Sequence, residues 1–247
     1  MRRRTLRFAP AVAILWIGWA FALGCGSDEA PEPPPETARP ARVVPPPPAQ
    51  GPRPVAILSV ESFGEIRLEL IPEIAPATVE NFIKLASEKF YDGTTFHRVI
   101  PDFMIQGGDP NSRNRDPRDD GKGNPGYRIE DEFSEVSHTR GMVSMANTGR
   151  SGSGGCQFFI VVADTPHLDG KYSLFGRVIE GMEVADRIAA VERDVYGRHG
   201  PKDRPLENVV IGSIRIEGEV PAESSAPEAA AEAPTSASEW DEGTPES

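Results

Sequence analysis

The stretch Phe96-His97-Arg98-Val99-Ile100-Pro101-Asp102-Phe103-Met104-Ile105-Gln106-Gly107-Gly108-Asp109 decides how this chain reads. Aromatic and β-branched residues flank a Pro-Asp turn signal, which describes two short strands joined as a hairpin. By alternation alone, Phe103 and Met104 are core side chains and Arg98 is an exposed strand residue.

Outward from this hairpin the pattern stays mostly strand. Residues 55–60 are followed by a turn at Glu61-Ser62, and then Ile66, Leu68 and Leu70 alternate with Glu65, Arg67 and Glu69. Strict alternation marks a half-buried strand, so the pair reads as a second hairpin. Further strands are predicted over 95–100, 103–106, 141–146, 157–162, 174–179 and 208–216. Two helices interrupt them. Over 76–88, Val79, Phe82, Ile83 and Ala86 share a face and Pro76 suits the first turn; over 182–191, Met182, Ala185, Ile188 and Ala189 do the same. Eight short strands without a strand-helix-strand rhythm predict a mainly β fold: a closed eight-stranded antiparallel β-barrel capped by two α-helices.

Composition sets the ends apart from this middle. The chain has 247 residues and 25 prolines, and the prolines crowd 31–54. Residues 25–53 bury too little apolar surface to offset their ordering entropy, so they read as a proline-rich stalk reaching about 80 Å at ~3.1 Å per residue. Residues 219–247 read as a disordered acidic tail, with Glu223, Glu228, Glu232, Glu239, Asp241, Glu242 and Glu246 lacking basic neighbours. One domain remains, over 54–218. The net charge of −12 argues against nucleic acid as a partner.

At the start, Arg2, Arg3, Arg4 and Arg7 precede an apolar run from Phe8 to Leu23 and then Gly24-Cys25-Gly26-Ser27. This is the layout of an export signal over 1–24, and its ending resembles a bacterial lipoprotein signal. That resemblance implies acylation of Cys25, a membrane anchor, and a location in the cell envelope facing periplasm or exterior. Ala22 stands where that family favours leucine.

Four blocks along 54–218 resemble the cyclophilin family of peptidyl-prolyl cis-trans isomerases. They are the opening stretch, Gly141-Met142-Val143-Ser144-Met145-Ala146-Asn147, residues 153–162 around Gln157-Phe158-Phe159-Ile160, and His167-Leu168-Asp169-Gly170-Lys171-Tyr172-Ser173-Leu174-Phe175-Gly176-Arg177-Val178. The resemblance implies a groove on the outside of the barrel. Arg98 matches the catalytic arginine. Phe103, Met104 and Phe159 match the apolar floor under the proline ring, and Leu168 its wall. Gln106 matches the glutamine that places the arginine and the substrate backbone; Ala146 and Asn147 match the peptide-bonding edge; Gln157 lines the groove. His167 and Tyr172 occupy substrate-binding positions where the best-known eukaryotic members carry tryptophan and histidine. The implied partners are proline-containing polypeptides, met by a monomer that uses no cofactor and no metal.

Competing motifs carry less. Gly121-Lys122-Gly123-Asn124-Pro125-Gly126 fits a dinucleotide-loop pattern but neither follows a clear strand nor opens a helix. It resembles instead the glycine-rich loop beside the cyclophilin groove, with Lys122 and Asn124 in less usual places. Cys156 lies in an apolar strand, which favours a buried inert thiol over a nucleophile. His97, His138, His167 and His199 show no paired metal spacing. The expected activity is therefore isomerisation of X-Pro bonds in exported or maturing proteins. The alternative is a proline-peptide binding module, or holdase, with little turnover.

Overall fold

The structure is a computed structural model describing residues 43–218. The export segment 1–24, Cys25, the beginning of the proline-rich segment and the tail 219–247 lie outside the described residues. The main elements in chain order are β1 (Val55–Val60), β2 (Gly64–Leu70), α1 (Pro76–Ser87), β3 (Arg98–Ile100), β4 (Met104–Gly107), β5 (Met142–Met145), β6 (Phe158–Val161), β7 (Leu174–Glu180) and α2 (Met182–Ala189). A small pair, β8 (Arg193–Asp194) with β9 (Arg204–Pro205), and finally β10 (Ile211–Glu217) complete them.

Eight strands form one antiparallel sheet in the order β10-β1-β2-β7-β5-β6-β4-β3. The mainly β fold with two helices is as read from the sequence, but the closed barrel is not. The sheet is an open, strongly curled half-barrel whose ends are β10 and β3. The gap is stitched only ahead of β3: Gly93 N–H donates to the Ile211 carbonyl, Ile211 N–H to the Thr94 carbonyl and Phe96 N–H to the Val209 carbonyl. A single bridge from Thr95 to Val210 stands where a ladder would close the cylinder. The strand predicted over 95–100 accordingly starts at Arg98, and the one over 208–216 starts at Ile211.

Alternation sorts side chains between two apolar clusters. Ile66, Leu68 and Leu70 of β2 are fully buried in the main core, while Glu65 stays outside. Phe82 of α1 sits among Tyr91, Phe158 and Phe175, with ring centroids 5.2, 5.5 and 5.1 Å away. The helix has Ala75 at its N-cap, which offers no side-chain acceptor. The carboxylate of Glu132 substitutes, accepting from the backbone N–H of Ala77 at 3.1 Å and of Thr78 at 2.7 Å. Orphan helix donors are thus satisfied from a distant loop, where the negative charge also suits the helix dipole.

The proline-rich segment is not all stalk. Residues 43–53 are docked on the domain, so its ordered contacts begin ahead of residue 54. Val44 N–H donates to Ser137 Oγ, and Ser137 N–H donates to the Val44 carbonyl. The Arg53 side chain is only 4% exposed and joins Glu69 at 3.0 Å and Glu73 at 3.1 Å. A charged guanidinium that far from water requires such partners, and they anchor a segment whose composition alone supplies no core.

Candidate active site

Register builds the site. Arg98 of β3 stands opposite Gln106 of β4, Gln106 opposite Phe159 of β6, and Phe159 opposite Ser144 of β5. These four residues form one transverse row. Strand pleating alternates faces, so Val99, Ile105, Phe158 and Ile160 enter the main core while Met104 and Phe159 join a second cluster on the outer face. Both hairpin strands therefore aim their off-core residues at one place. The exit from β4 is tight: Gly108 has φ 83°, and a Cβ there would fall 2.7 Å from the Cys156 carbonyl oxygen, which only glycine avoids.

The resulting cleft has a volume of about 90 Å³ and is lined by Arg98, Phe103, Met104, Gln106, Ala146, Asn147, Phe159, Leu168 and Tyr172. That is the scale of one small side chain, below the range of drug-sized pockets. Its lining holds one guanidinium and no carboxylate. Met104, Phe159 and Leu168 are nearly inaccessible to water, whereas Arg98 and Gln106 are half-buried. Tyr172 meets Phe159 edge-on, with centroids 5.3 Å apart.

Two further residues from the sequence reading sit beside the cleft instead of on its wall. His167 is exposed on a short 3-10 turn, Pro166–Leu168, and stacks on Phe103 with centroids 5.4 Å apart. The stacking braces Phe103. Gln157 accepts from Gln106 Nε2 at 3.0 Å and donates to the Gly123 carbonyl at 2.9 Å. Gln106 is thereby oriented by Gln157; among the described residues no side-chain hydrogen bond links it to Arg98. At the edge, Ala146 N–H is already given to the Gln157 carbonyl, which leaves its C=O for a ligand. Asn147 is held by the segment ahead of β7, donating to the Lys171 carbonyl at 3.0 Å.

Beneath the row lies a relay that the sequence reading missed. His138 Nε2 is 2.9 Å from Ser144 Oγ, and His138 Nδ1 is 2.9 Å from Asp169 Oδ1. With Nδ1–H donating to Asp169, Nε2 is the acceptor and the Ser144 hydroxyl donates to it. Burial lowers the His138 pKa against the opposing pull of Asp169, so the ring stays neutral. The arrangement has the members of a hydrolytic triad, but Ser144 is fully buried and no substrate carbonyl could reach it. The relay is a support for Phe159, whose ring lies parallel to His138 at 6.3 Å. Its three parts are 6 and 31 residues apart in the chain, so spacing carried no signal of it.

The other nucleophile candidate is also inert. Cys156 is 1% exposed and burial pushes its thiol up to about 12, where the reactive thiolate is absent at neutral pH. The loop 121–126 contains neither strand nor helix. Asp109 organises it, accepting from the N–H groups of Asn111 and Gly121.

A curled β sheet thus bears a small cleft in which one guanidinium stands beside buried apolar side chains. Comparisons with known proteins place the chain in a family. Residues 55–216 match the family model described as cyclophilin type peptidyl-prolyl cis-trans isomerase/CLD. Peptidyl-prolyl cis-trans isomerase ppi1 of Schizosaccharomyces pombe is 45% identical over 152 residues, 61% of this chain and 91% of that protein. Peptidyl-prolyl cis-trans isomerase B of Bacillus subtilis is 48% identical over 132 residues, 53% of this chain and 87% of that protein. A crystal structure of a Cryptosporidium parvum cyclophilin type peptidyl-prolyl cis-trans isomerase in the presence of the dipeptide Ala-Pro superposes with a TM-score of 0.58. It is 29% identical and covers 67% of this chain and 99% of its own. The chain belongs to the cyclophilin-type peptidyl-prolyl cis-trans isomerase family and is an isomerase of that type.

Proposed function

We propose that the cleft between Arg98 and Phe159 is where X-Pro bonds of polypeptide clients are isomerised, with Arg98 as the catalytic residue. The peptide bond resists rotation by ~18–20 kcal/mol because the nitrogen lone pair is shared with the carbonyl. Before proline the two isomers differ by only about 0.5–1 kcal/mol, so the exchange is nearly balanced but slow. Acceleration requires stabilising the twisted state, in which the lone pair returns to nitrogen. A guanidinium suits this role because it never deprotonates. Phe103, Met104, Phe159 and Leu168 grip the ring, while Ala146 C=O and Asn147 hold the chain and Gln106, oriented by Gln157, faces the rotating carbonyl. A dry wall strengthens the pull of Arg98 on the bond.

The observation that carries this reading is the row Arg98–Gln106–Phe159, which sets a cation and a buried ring on one face of adjacent strands. The test is cis-trans exchange of a short Ala-Pro peptide with the wild-type chain and with Arg98→Ala. Equal acceleration by both would remove Arg98 from the mechanism. A binding module with little turnover would instead hold the peptide without speeding its exchange.

The rest of the chain supports a setting for this activity. The basic start, apolar run and Cys25 favour an acylated bacterial lipoprotein with a membrane anchor, acting as a monomer on envelope proteins still folding after export. Among the described residues no helix is long and apolar enough to cross a membrane. Incorporation of labelled palmitate into the wild-type chain but not into Cys25→Ser tests the anchor; equal labelling would sink it.

A further inference from the structure

The cleft does not end at Gln106. Gln106, Ala146 and Asn147 also line a second cavity of about 420 Å³, whose other walls include Lys122 and Arg128. Lys122 in turn lines a third cavity of about 610 Å³ that adds Arg118 and Arg198. Shared residues thus chain three cavities into one track leading away from Arg98. The second holds two cations and no carboxylate. The third holds one carboxylate, Asp116, which pairs with Arg118 at 2.7 Å. This cationic track runs across a protein whose net charge is −12, so the sign at the cleft's edge opposes the sign of the whole.

Local structure holds the charges there. Lys122 Nζ donates to the Arg118 carbonyl at 2.8 Å, which fixes the ammonium between the second and third cavities. Arg198 lies over the Tyr196 ring at 4.9 Å, and stacking of this kind presents a guanidinium without neutralising it. The loop carrying Lys122 is pinned to the cleft itself, because the Gly123 carbonyl accepts from Gln157. A peptide seated with its proline on Phe159 and extending past Gln106 would meet the cavity lined by Lys122 and Arg128.

We propose that this isomerase selects X-Pro segments flanked by acidic side chains, recognised by Lys122 and Arg128 and, further out, by Arg118 and Arg198. The inference rests on the isomerase reading of the cleft and names its preferred substrate class. Electrostatic complementarity of this exposed kind acts on encounter and orientation, and salt weakens it.

The test uses the full chain and four peptides with a common central Ala-Pro. One is flanked only by alanine, one has two glutamates before the Ala-Pro, one has two glutamates after it, and one has lysines in place of glutamates. Exchange is followed by NMR. The expected result is a kcat/KM for one glutamate peptide about three- to tenfold above the alanine peptide at low salt, shrinking below about twofold near ~0.5 M salt. The lysine peptide falls below the alanine peptide. Because each protein is scored by its own ratio of acidic to neutral peptide, a general loss of activity cancels. The double variant Lys122→Glu/Arg128→Glu should reverse the order and favour lysine, a gain that misfolding does not mimic. Acceleration of the alanine peptide with no acidic advantage overturns the selectivity and leaves the isomerase reading standing. No acceleration of any peptide sinks both. An acidic advantage that appears only after removal of 219–247 overturns the client assignment in favour of this chain's own tail.

Discussion

Ser144 Oγ lies 2.9 Å from His138 Nε2, and this bond ties the strand beside Phe159 to the loop that carries Asp169. Both residues are buried, so the bond is made where water cannot replace it. Ser144→Ala leaves Nε2 without a donor. The expected cost is about 1–3 kcal/mol of stability, measured by urea unfolding. Because Phe159 packs on this imidazole, KM for an Ala-Pro peptide should rise more than kcat falls.

Arg98 is half-buried and lies outside the main core, so its replacement tests chemistry more than folding. Arg98→Ala should lower kcat/KM for X-Pro exchange on the order of a hundredfold, the usual loss when a pre-aimed charge is removed from a dry site. Arg98→Lys should recover only part of that, since an ammonium lacks the planar fork. The melting temperature should stay near that of the wild type, and a large drop would mean that the residue is structural.

Acid should weaken the fold through two histidines. His97 is 3% exposed, and burial pushes its pKa down to about 4, against the pull of Asp109 and helped by Arg98 and Arg204. Neither ring nitrogen meets a hydrogen-bonding partner among the described residues. A histidine depressed in the folded state takes up its proton more readily when unfolded. Its contribution is therefore intact above the unfolded value near 6.5 and is lost as pH falls toward 4. The sum is up to ~3 kcal/mol at about 1.4 kcal/mol per pH unit. His138 acts in the same direction, while burial raises Asp120 and opposes them. The decisive measurement is a difference: between pH 6.5 and 4, His97→Leu should lose clearly less stability than the wild type.

The docked proline-rich segment should matter to folding. Arg53→Ala removes both ion pairs of a side chain that is almost wholly buried. The loss should be about 1–3 kcal/mol, allowing for the partial exposure of Glu69 and Glu73. Thermal melts of the variant, and of a chain beginning at Pro54, should both shift downward. An unchanged melt would return these residues to the stalk.

Much of the site was legible because one hairpin carries it. Arg98, Phe103, Met104 and Gln106 lie within nine positions, and the period of two already separates Arg98, Met104 and Gln106 from Val99 and Ile105, while Phe103 sits in the turn between the strands. Phe159, Leu168, Ala146, Asn147 and Tyr172 were found through family blocks, since nothing in their spacing says that they converge on Arg98. His167 was also found through such a block, and the turn that carries it stacks its ring on Phe103. The short pair β8 and β9 escaped notice because two residues are too few for a period.

What the sequence by itself determined is the set of strands, which side of each is apolar, and the residues brought to one hairpin, because side-chain alternation is a local property of the backbone. Only the tertiary structure decided that the sheet stays open, that Arg53 is captured by Glu69 and Glu73, and that His138 reaches Ser144 and Asp169. Each of these depends on positions far apart in the chain, decided by which donors and acceptors meet once it has folded; at the open edge only Gly93, Phe96 and Ile211 donate across, and no ladder forms between β3 and β10.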